Sequence, residues 1–366
     1  MVAHSFSGAV RALQILPGAK VVLAGAGPRG VARAMRAVAR HHTKCVWLVD
    51  TGQSTCAAGL VARVLNRGVV VDTGDAAFAL ARSVGGRSAR GLLAVGIGER
   101  LMLYLADHIV VRGHQHIRYL PHRRATVIRD LPPPGIGPVD ARHVKAEWKL
   151  EEQFVVGLVG SLAFAPRRGV SYGWDLVESL PQCRNDVVAL IVGDGDGRAW
   201  LEQRARDLGV HDRCRFVGRV DDLRIAEFVS AMDVAISTQS TDIVGQVRTT
   251  GKLPLYLSCG TPVIASHSGE AIRILGPVGW TLPYEGVVDR SYPGRLARAI
   301  EQAHQERSQH TLRRATALRL AEAAFDRTGF RERAQQVLVA VQAHRASKWP
   351  SPVSRFTSRA PGGARQ

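Results

Sequence analysis

At 366 residues, the chain exceeds the roughly 250–300 residues at which one hydrophobic core stops growing, so a single domain is excluded and two are expected. Its 49 Lys and Arg against 31 Asp and Glu leave a formal net charge of +18, but only six of the basic residues are Lys. That Arg bias partly reflects base composition, and a positive field attracts nucleotide diphosphates, acidic membranes and nucleic acid alike. The five cysteines lack CxxC spacing, which argues against a disulfide frame or a structural zinc.

Short β-branched runs alternate with helical stretches along most of the chain, the pattern of βαβ units on parallel sheets. In the first half, strands are expected at 20–25, 45–50, 68–72, 107–112 and 125–130, with helices over 32–40, 54–65 and 98–106. Glu99, Arg100 and Asp107 interrupt the most apolar window, 91–111, so a membrane-spanning helix is not expected there. The first 20 residues show no basic stretch followed by an apolar one, so no secretory leader is expected.

The alternation stops at 131–148, which holds four prolines and no periodicity and reads as a linker. It resumes with strands at 154–160, 186–195, 213–218, 233–237, 261–266 and 279–283. Helices are expected over 174–180, 198–208, 222–231 and 252–258. Helices then fill 289–344, the last two (321–330 and 332–344) split near Gly329. The final segment, rich in Pro, Ser and Arg, is expected to be a disordered basic tail.

Several motifs invite functional readings. Gly25-Ala26-Gly27-Pro28-Arg29-Gly30 with Asp50 matches a dinucleotide fingerprint, yet Pro28 has no N–H to give a pyrophosphate, and the stretch reads as a structural turn. Asp194 and Asp196 on a Gly-rich turn read as junction residues rather than a metal site. His114 and His116 read as surface or cleft residues. The region 237–266 is more informative. There Arg248 and Lys252 flank the start of a helix at the carboxyl end of a strand, where open sheets bind ligands and exposed backbone N–H groups favour anions. A second basic turn, Arg167-Arg168-Gly169, follows the first strand of the same half, so both turns can face one diphosphate.

The stretches VGSL…PRRG (159–169), IVGDG (191–195), RFVGRVDD (215–222), AMDVAIS (231–237) and VRTTGKLPLYLSCGTPVIAS (247–266) resemble the retaining glycosyltransferases of family 4. The similarity is clearest over 154–303. It implies the GT-B fold: an α/β protein of two Rossmann-like parallel-sheet domains facing a cleft, with a C-terminal helix crossing back. The implied boundaries are 1–130 for an acceptor-side domain, 131–152 for the linker and 153–325 for a nucleotide-sugar domain. The crossover helix would occupy 326–345 and the tail 346–366.

The resemblance further implies a sugar transfer with retained configuration from a UDP- or GDP-type donor to a polysaccharide, lipid-linked or natural-product hydroxyl, without cofactor or metal. Arg168, Arg248 and Lys252 would stabilise the departing diphosphate. Gly160, Ser161, Arg167, Gly193, Gln239, Thr249, Thr250 and Gly251 would line the donor site, and Gly27, Asp72 and Asp75 would meet the acceptor or sugar. Two departures stand out: Ser161 replaces an arginine common in the family, and the family's pair of glutamates falls on Val247 and Leu255. Asp242 or Glu270 is a candidate to replace a lost hydroxyl acceptor. The expected partners are a nucleotide sugar and a glycan, lipid-linked or small-molecule acceptor, in the cytoplasm or peripherally on an acidic inner membrane face, with no nucleic acid. Competing readings are a nicotinamide-dependent oxidoreductase using Gly25–Gly30 and Asp50, and a degenerate GT-B binding protein.

Overall fold

A computed structural model of the chain describes residues 1–120, 124–248, 251–276 and 279–348, and among them two six-stranded parallel sheets carry the architecture. The first half runs β1 (Val2–Ala3), α1 (Phe6–Ile15), β2 (Val22–Leu23), α2 (Gly27–Arg40), β3 (Cys45–Val49) and α3 (Gln53–Val64). It continues with β4 (Gly68–Thr73), α4 (Ala77–Val84), α5 (Ala89–Leu105), β5 (His108–Val111), α6 (His114–Ile117) and β6 (Ala125–Val127). The sheet order is β2-β1-β3-β4-β5-β6. Strands such as β3 and β4 are apolar almost throughout because helices cover both sheet faces.

After α7 (Arg142–Glu147), the second half follows the same plan. It contains β7 (Phe154–Val159), the small antiparallel pair β8 (Phe164–Ala165) and β9 (Val170–Ser171), then α8 (Trp174–Ser179), β10 (Val187–Val192) and α9 (Arg198–Asp207). Next come β11 (Cys214–Gly218), α10 (Ile225–Ser230), β12 (Val234–Ser237), α11 (Ile243–Val247), α12 (Lys252–Ser258) and β13 (Val263–Ser266). The half closes with α13 (Gly269–Leu275), β14 (Trp280–Leu282), α14 (Tyr292–Gln305) and α15 (His310–Ala324). Here the order is β11-β10-β7-β12-β13-β14. This is the two-domain GT-B architecture.

The last helix, α16 (Arg327–Lys348), returns to pack on α1 and β4 of the first domain. Arg331 Nε donates to the Gln14 carbonyl at 3.1 Å, and Arg345 to Asn66 Oδ1 at 2.8 Å. One hydrophobic cluster joins the domains: Trp47, Val70 and Ile128 share it with Val155, Tyr256, Phe330 and Val341.

The structure corrects several sequence expectations. The stretch 20–25 shrinks to the two-residue edge strand β2, and α2 begins at Gly27 rather than at 32, with Pro28 in its first turn. The linker is not wholly irregular, because 142–147 is helical. The last helices part at Phe325–Asp326, not near Gly329. Asp326 accepts the amides of Thr328 and Gly329, both at 3.0 Å, and so starts the new helix upstream of the glycine. Most of the expected tail, 349–366, lies outside the described residues.

Candidate functional site

The carboxyl rim of the first sheet opens on a cavity of about 570 Å³, lined by Asp50, Thr73, Asp75, Val84 and Arg112 and, from the second domain, by Arg248. Gly160 directly follows β7 with φ +152, and a Cβ there would lie 2.8 Å from Lys252 Cε. The missing side chain is what lets Lys252 lie along this turn. Gly193, the equivalent residue after β10, presses its backbone on Gly160 so closely that a Cβ would strike the Gly160 carbonyl. Its place is explained by packing.

Lys252 opens α12 and holds its Nζ 3.3 Å from the centroid of the Tyr172 ring, a cation–π contact. Burial, reinforced by the nearby Arg248 charge and opposed by Asp175, lowers its pKa to about 7. Asp175 itself is buried, its carboxyl pKa raised by desolvation while it accepts a hydrogen bond from Thr238 Oγ1. This side of the second domain therefore carries a lysine that gains charge readily when an anion arrives.

Both arginines reach across the cleft. Arg248 Nε pairs with Asp75 Oδ1 at 2.6 Å. Arg168 Nε donates to Ser83 Oγ at 3.1 Å, and Nη2 lies 3.7 Å from Asp242 Oδ2. Arg167 leans on the same end of α4, donating Nη1 to the Arg82 carbonyl at 3.1 Å. The segment 75–84 thus takes the basic side chains of two separate loops of the second domain.

The other expected donor residues are scattered more widely. Ser161 and Gly251 are exposed. Gln239 is buried, and its Nε2 donates to the Arg248 carbonyl at 3.2 Å, so it braces that loop. Thr249 and Thr250 lie outside the described residues. Val247 and Leu255 are buried, and Leu255 belongs to the shared core. Asp194 and Asp196 hold the amides of Gly195 and Phe164, both at 2.8 Å.

On the acceptor side, only Asp75 reaches the cavity as expected. Asp72 is fully buried: Arg11 Nε donates to both its oxygens, at 3.0 and 3.1 Å, and Trp47 Nε1 to one at 3.3 Å. It is a core ion pair and cannot meet a ligand. Gly27, at φ +73, serves the β2–α2 turn and does not line the cavity. In that turn, a Cβ on Gly30 would strike the Gly25 carbonyl, so packing explains this glycine too. Asp50, which a ribose would need, is occupied by Arg112 at 2.9 Å and Ser5 at 2.8 Å.

Glu270 is not a free hydroxyl acceptor either. It is fully buried and receives the His114 amide at 2.7 Å and Arg129 Nε at 2.9 Å, both from the first domain. His116 is buried, and burial lowers its pKa to about 4. The sequence reading missed Arg129 and Arg112 as cleft-organising groups. Neither sits in a recognisable motif, and only the tertiary fold supplies their partners.

Comparison with known proteins bears on this arrangement. Residues 153–306 match the family model described as glycosyl transferases group 1. The chain is 29% identical over 188 residues to D-inositol 3-phosphate glycosyltransferase 2 of Catenulispora acidiphila, covering 47% of this chain and 43% of that protein. It is 34% identical over 124 residues to the phosphatidyl-myo-inositol mannosyltransferase of Mycobacterium leprae, covering 32% and 30%. These matches span less than half the length of either relative. In structure, it resembles Anabaena Alr3699/HepE in complex with UDP-glucose, with a TM-score of 0.69, 18% identity and coverage of 87% and 86%. It also resembles sucrose-phosphate synthase of Thermosynechococcus elongatus, with a TM-score of 0.70, 18% identity and coverage of 90% and 84%. At that identity, the likeness speaks for the fold.

Proposed function

We propose that this chain, whose residues 153–306 match the model for glycosyl transferases group 1, transfers a sugar from a nucleotide-diphosphate donor to a hydroxyl acceptor in the cleft. The observation that carries the reading is the basic rim: Arg168 on one turn, and Arg248 and Lys252 on another, lie on the cleft side of the second domain, and Arg248 lines a cavity large enough for a sugar. A UDP-type donor is favoured over GDP by the UDP-glucose complex among the structural neighbours.

In this mechanism, the bond between the anomeric carbon and the diphosphate oxygen breaks, and the acceptor hydroxyl attacks from the face the diphosphate leaves. Its proton passes to a departing phosphate oxygen, so configuration is retained and charge balances. The chain's part is to hold cations where negative charge grows. Those side chains supply the charge compensation, which supports a reaction without a metal. Asp194 and Asp196, engaged with backbone amides, are not needed for it.

Arg168→Ala and Lys252→Ala should each lower turnover by about 10²-fold or more while the folded state persists, since each removes a preorganised charge contact. Thermal-shift titration with UDP, GDP and NAD, followed by assay with the sugar form of any stabilising nucleotide, checks this. Stabilisation by NAD alone, or near-normal turnover in both variants, would overturn the assignment.

A further inference from the structure

The Arg168 guanidinium is held by a side chain of the other domain. The turn that carries Arg168 closes on itself, with the amides of Arg168 and Gly169 both donating to the Ala165 carbonyl at 2.9 Å. That fixes the backbone and leaves the guanidinium, at the end of a long flexible stem, to be placed by its partners. Ser83 Oγ accepts its Nε at 3.1 Å and also its Nη2. Ser83 stands near the end of α4, in the first domain.

The other partner, Asp242, is more distant and already committed. Its Oδ2 lies 3.7 Å from Arg168 Nη2 and 3.5 Å from the Ser83 hydroxyl. Its Oδ1 caps α11 by accepting the Gly245 amide at 3.2 Å and takes the Ser240 hydroxyl at 2.6 Å. Arg168 is therefore held chiefly by a neutral hydroxyl. Two of the five guanidinium N–H groups are spent, and no carboxylate sits as close to it as Asp75 does to Arg248. A cation fixed in direction, with charge to spare, is what a diphosphate site requires.

We propose that Ser83 is a positioning residue of the donor site, reaching from the first domain to hold Arg168 where it meets the donor diphosphate. This role rests on the reading of Arg168 as a diphosphate contact. The two segments also meet through their backbones: the Arg167 amide donates to the Val84 carbonyl at 3.3 Å. Gly85, at φ +85, lies so close that a Cβ would stand 3.0 Å from Arg167 Cβ. These contacts do not need the Ser83 hydroxyl, so its loss frees the guanidinium without parting the segments. The same helix walls the cavity through Leu80, Ala81 and Val84, so one element serves both the cavity and the donor grip.

The test is calorimetric titration of UDP into the full chain and its variants. Ser83→Ala should weaken binding by about three- to tenfold, the cost of ordering one arginine side chain on binding. Alanine is the best helix former, so α4 keeps its shape. Ser83→Thr, which retains the hydroxyl, should bind within about twofold of wild type. In an Arg168→Ala background, Ser83→Ala should have no further effect, because no guanidinium is left to aim. Unchanged or tighter binding by Ser83→Ala, an equal loss in both backgrounds, or a threonine variant as weak as alanine would overturn the role of Ser83 alone. A wild type that binds neither UDP nor GDP would overturn the transferase reading, and the role of Ser83 with it.

Discussion

Lys252 shows how much of a site one side chain can set. Its scarcity and its place before an apolar helix marked it in the sequence, but not its depth against Tyr172. With a pKa lowered to about 7, it loses its proton as pH rises through neutrality. A bound diphosphate favours the charged form, so nucleotide binding above pH 7 must take up a proton. UDP affinity should therefore fall as pH rises above 7, by at most about tenfold per pH unit. Calorimetry in buffers of different ionisation enthalpy checks the proton uptake, and a pH-independent affinity between 7 and 9 would place the titrating group elsewhere.

Asp75 works against the same ligand. Its carboxylate holds Arg248 at 2.6 Å, although both side chains are partly exposed. Exposed pairs are worth about 0.2–1 kcal/mol, so releasing the arginine should tighten nucleotide binding by no more than about fivefold. Asp75→Asn is expected to bind UDP more tightly than wild type, measured by calorimetry at one ionic strength. Weaker binding would show that Asp75 supports the donor site instead of competing for its arginine. Asp72, three residues earlier in the same stretch, illustrates the limit of sequence reading. The strand pattern placed it correctly at a strand end, but its partner Arg11 lies on a helix the pattern did not reveal.

At the scale of elements, what was legible had strong periodicity. The runs at 45–50, 68–72, 154–160 and 186–195 are buried strands because β-branched residues repeat where helices cover both sheet faces. The helices α1 and α4 escaped for a different reason. Side chains from outside the hydrophobic pattern fix their starts: Ser5 Oγ accepts the Gly8 amide at 3.0 Å, and Glu99, more than 20 residues downstream, takes the first amides of α4. Such capping satisfies donors that would otherwise be orphaned, yet no window of apolar spacing reports it. The break between α15 and α16 has the same origin. Gly329 drew the boundary in the sequence, but Asp326 supplies the cap that makes one.

At the scale of the molecule, the question is what holds two Rossmann-like halves in register around the cleft. The shared hydrophobic cluster and α16 fasten them on the side of Trp47 and Phe330. Closer to the cavity, the tie is Glu270, which enters from the start of α13 and takes the His114 amide and the Arg129 guanidinium, with Arg129 Nη2 at 2.8 Å. The carboxylate is fully buried, and the arginine side chain is 16% exposed. Removing one partner of a buried pair leaves an uncompensated charge and costs about 3–5 kcal/mol, far more than the pair adds over apolar packing. Glu270→Ala should therefore destabilise the chain by about that amount in denaturant titration, and open the 131–141 segment to faster limited proteolysis as the halves part. Glu270→Gln, which still accepts hydrogen bonds but carries no charge, should fall between wild type and alanine. If alanine costs less than about 0.5 kcal/mol, the apolar cluster and α16 alone fix the angle between the domains, and the buried ion pair beside the cleft is free to break whenever the cleft opens.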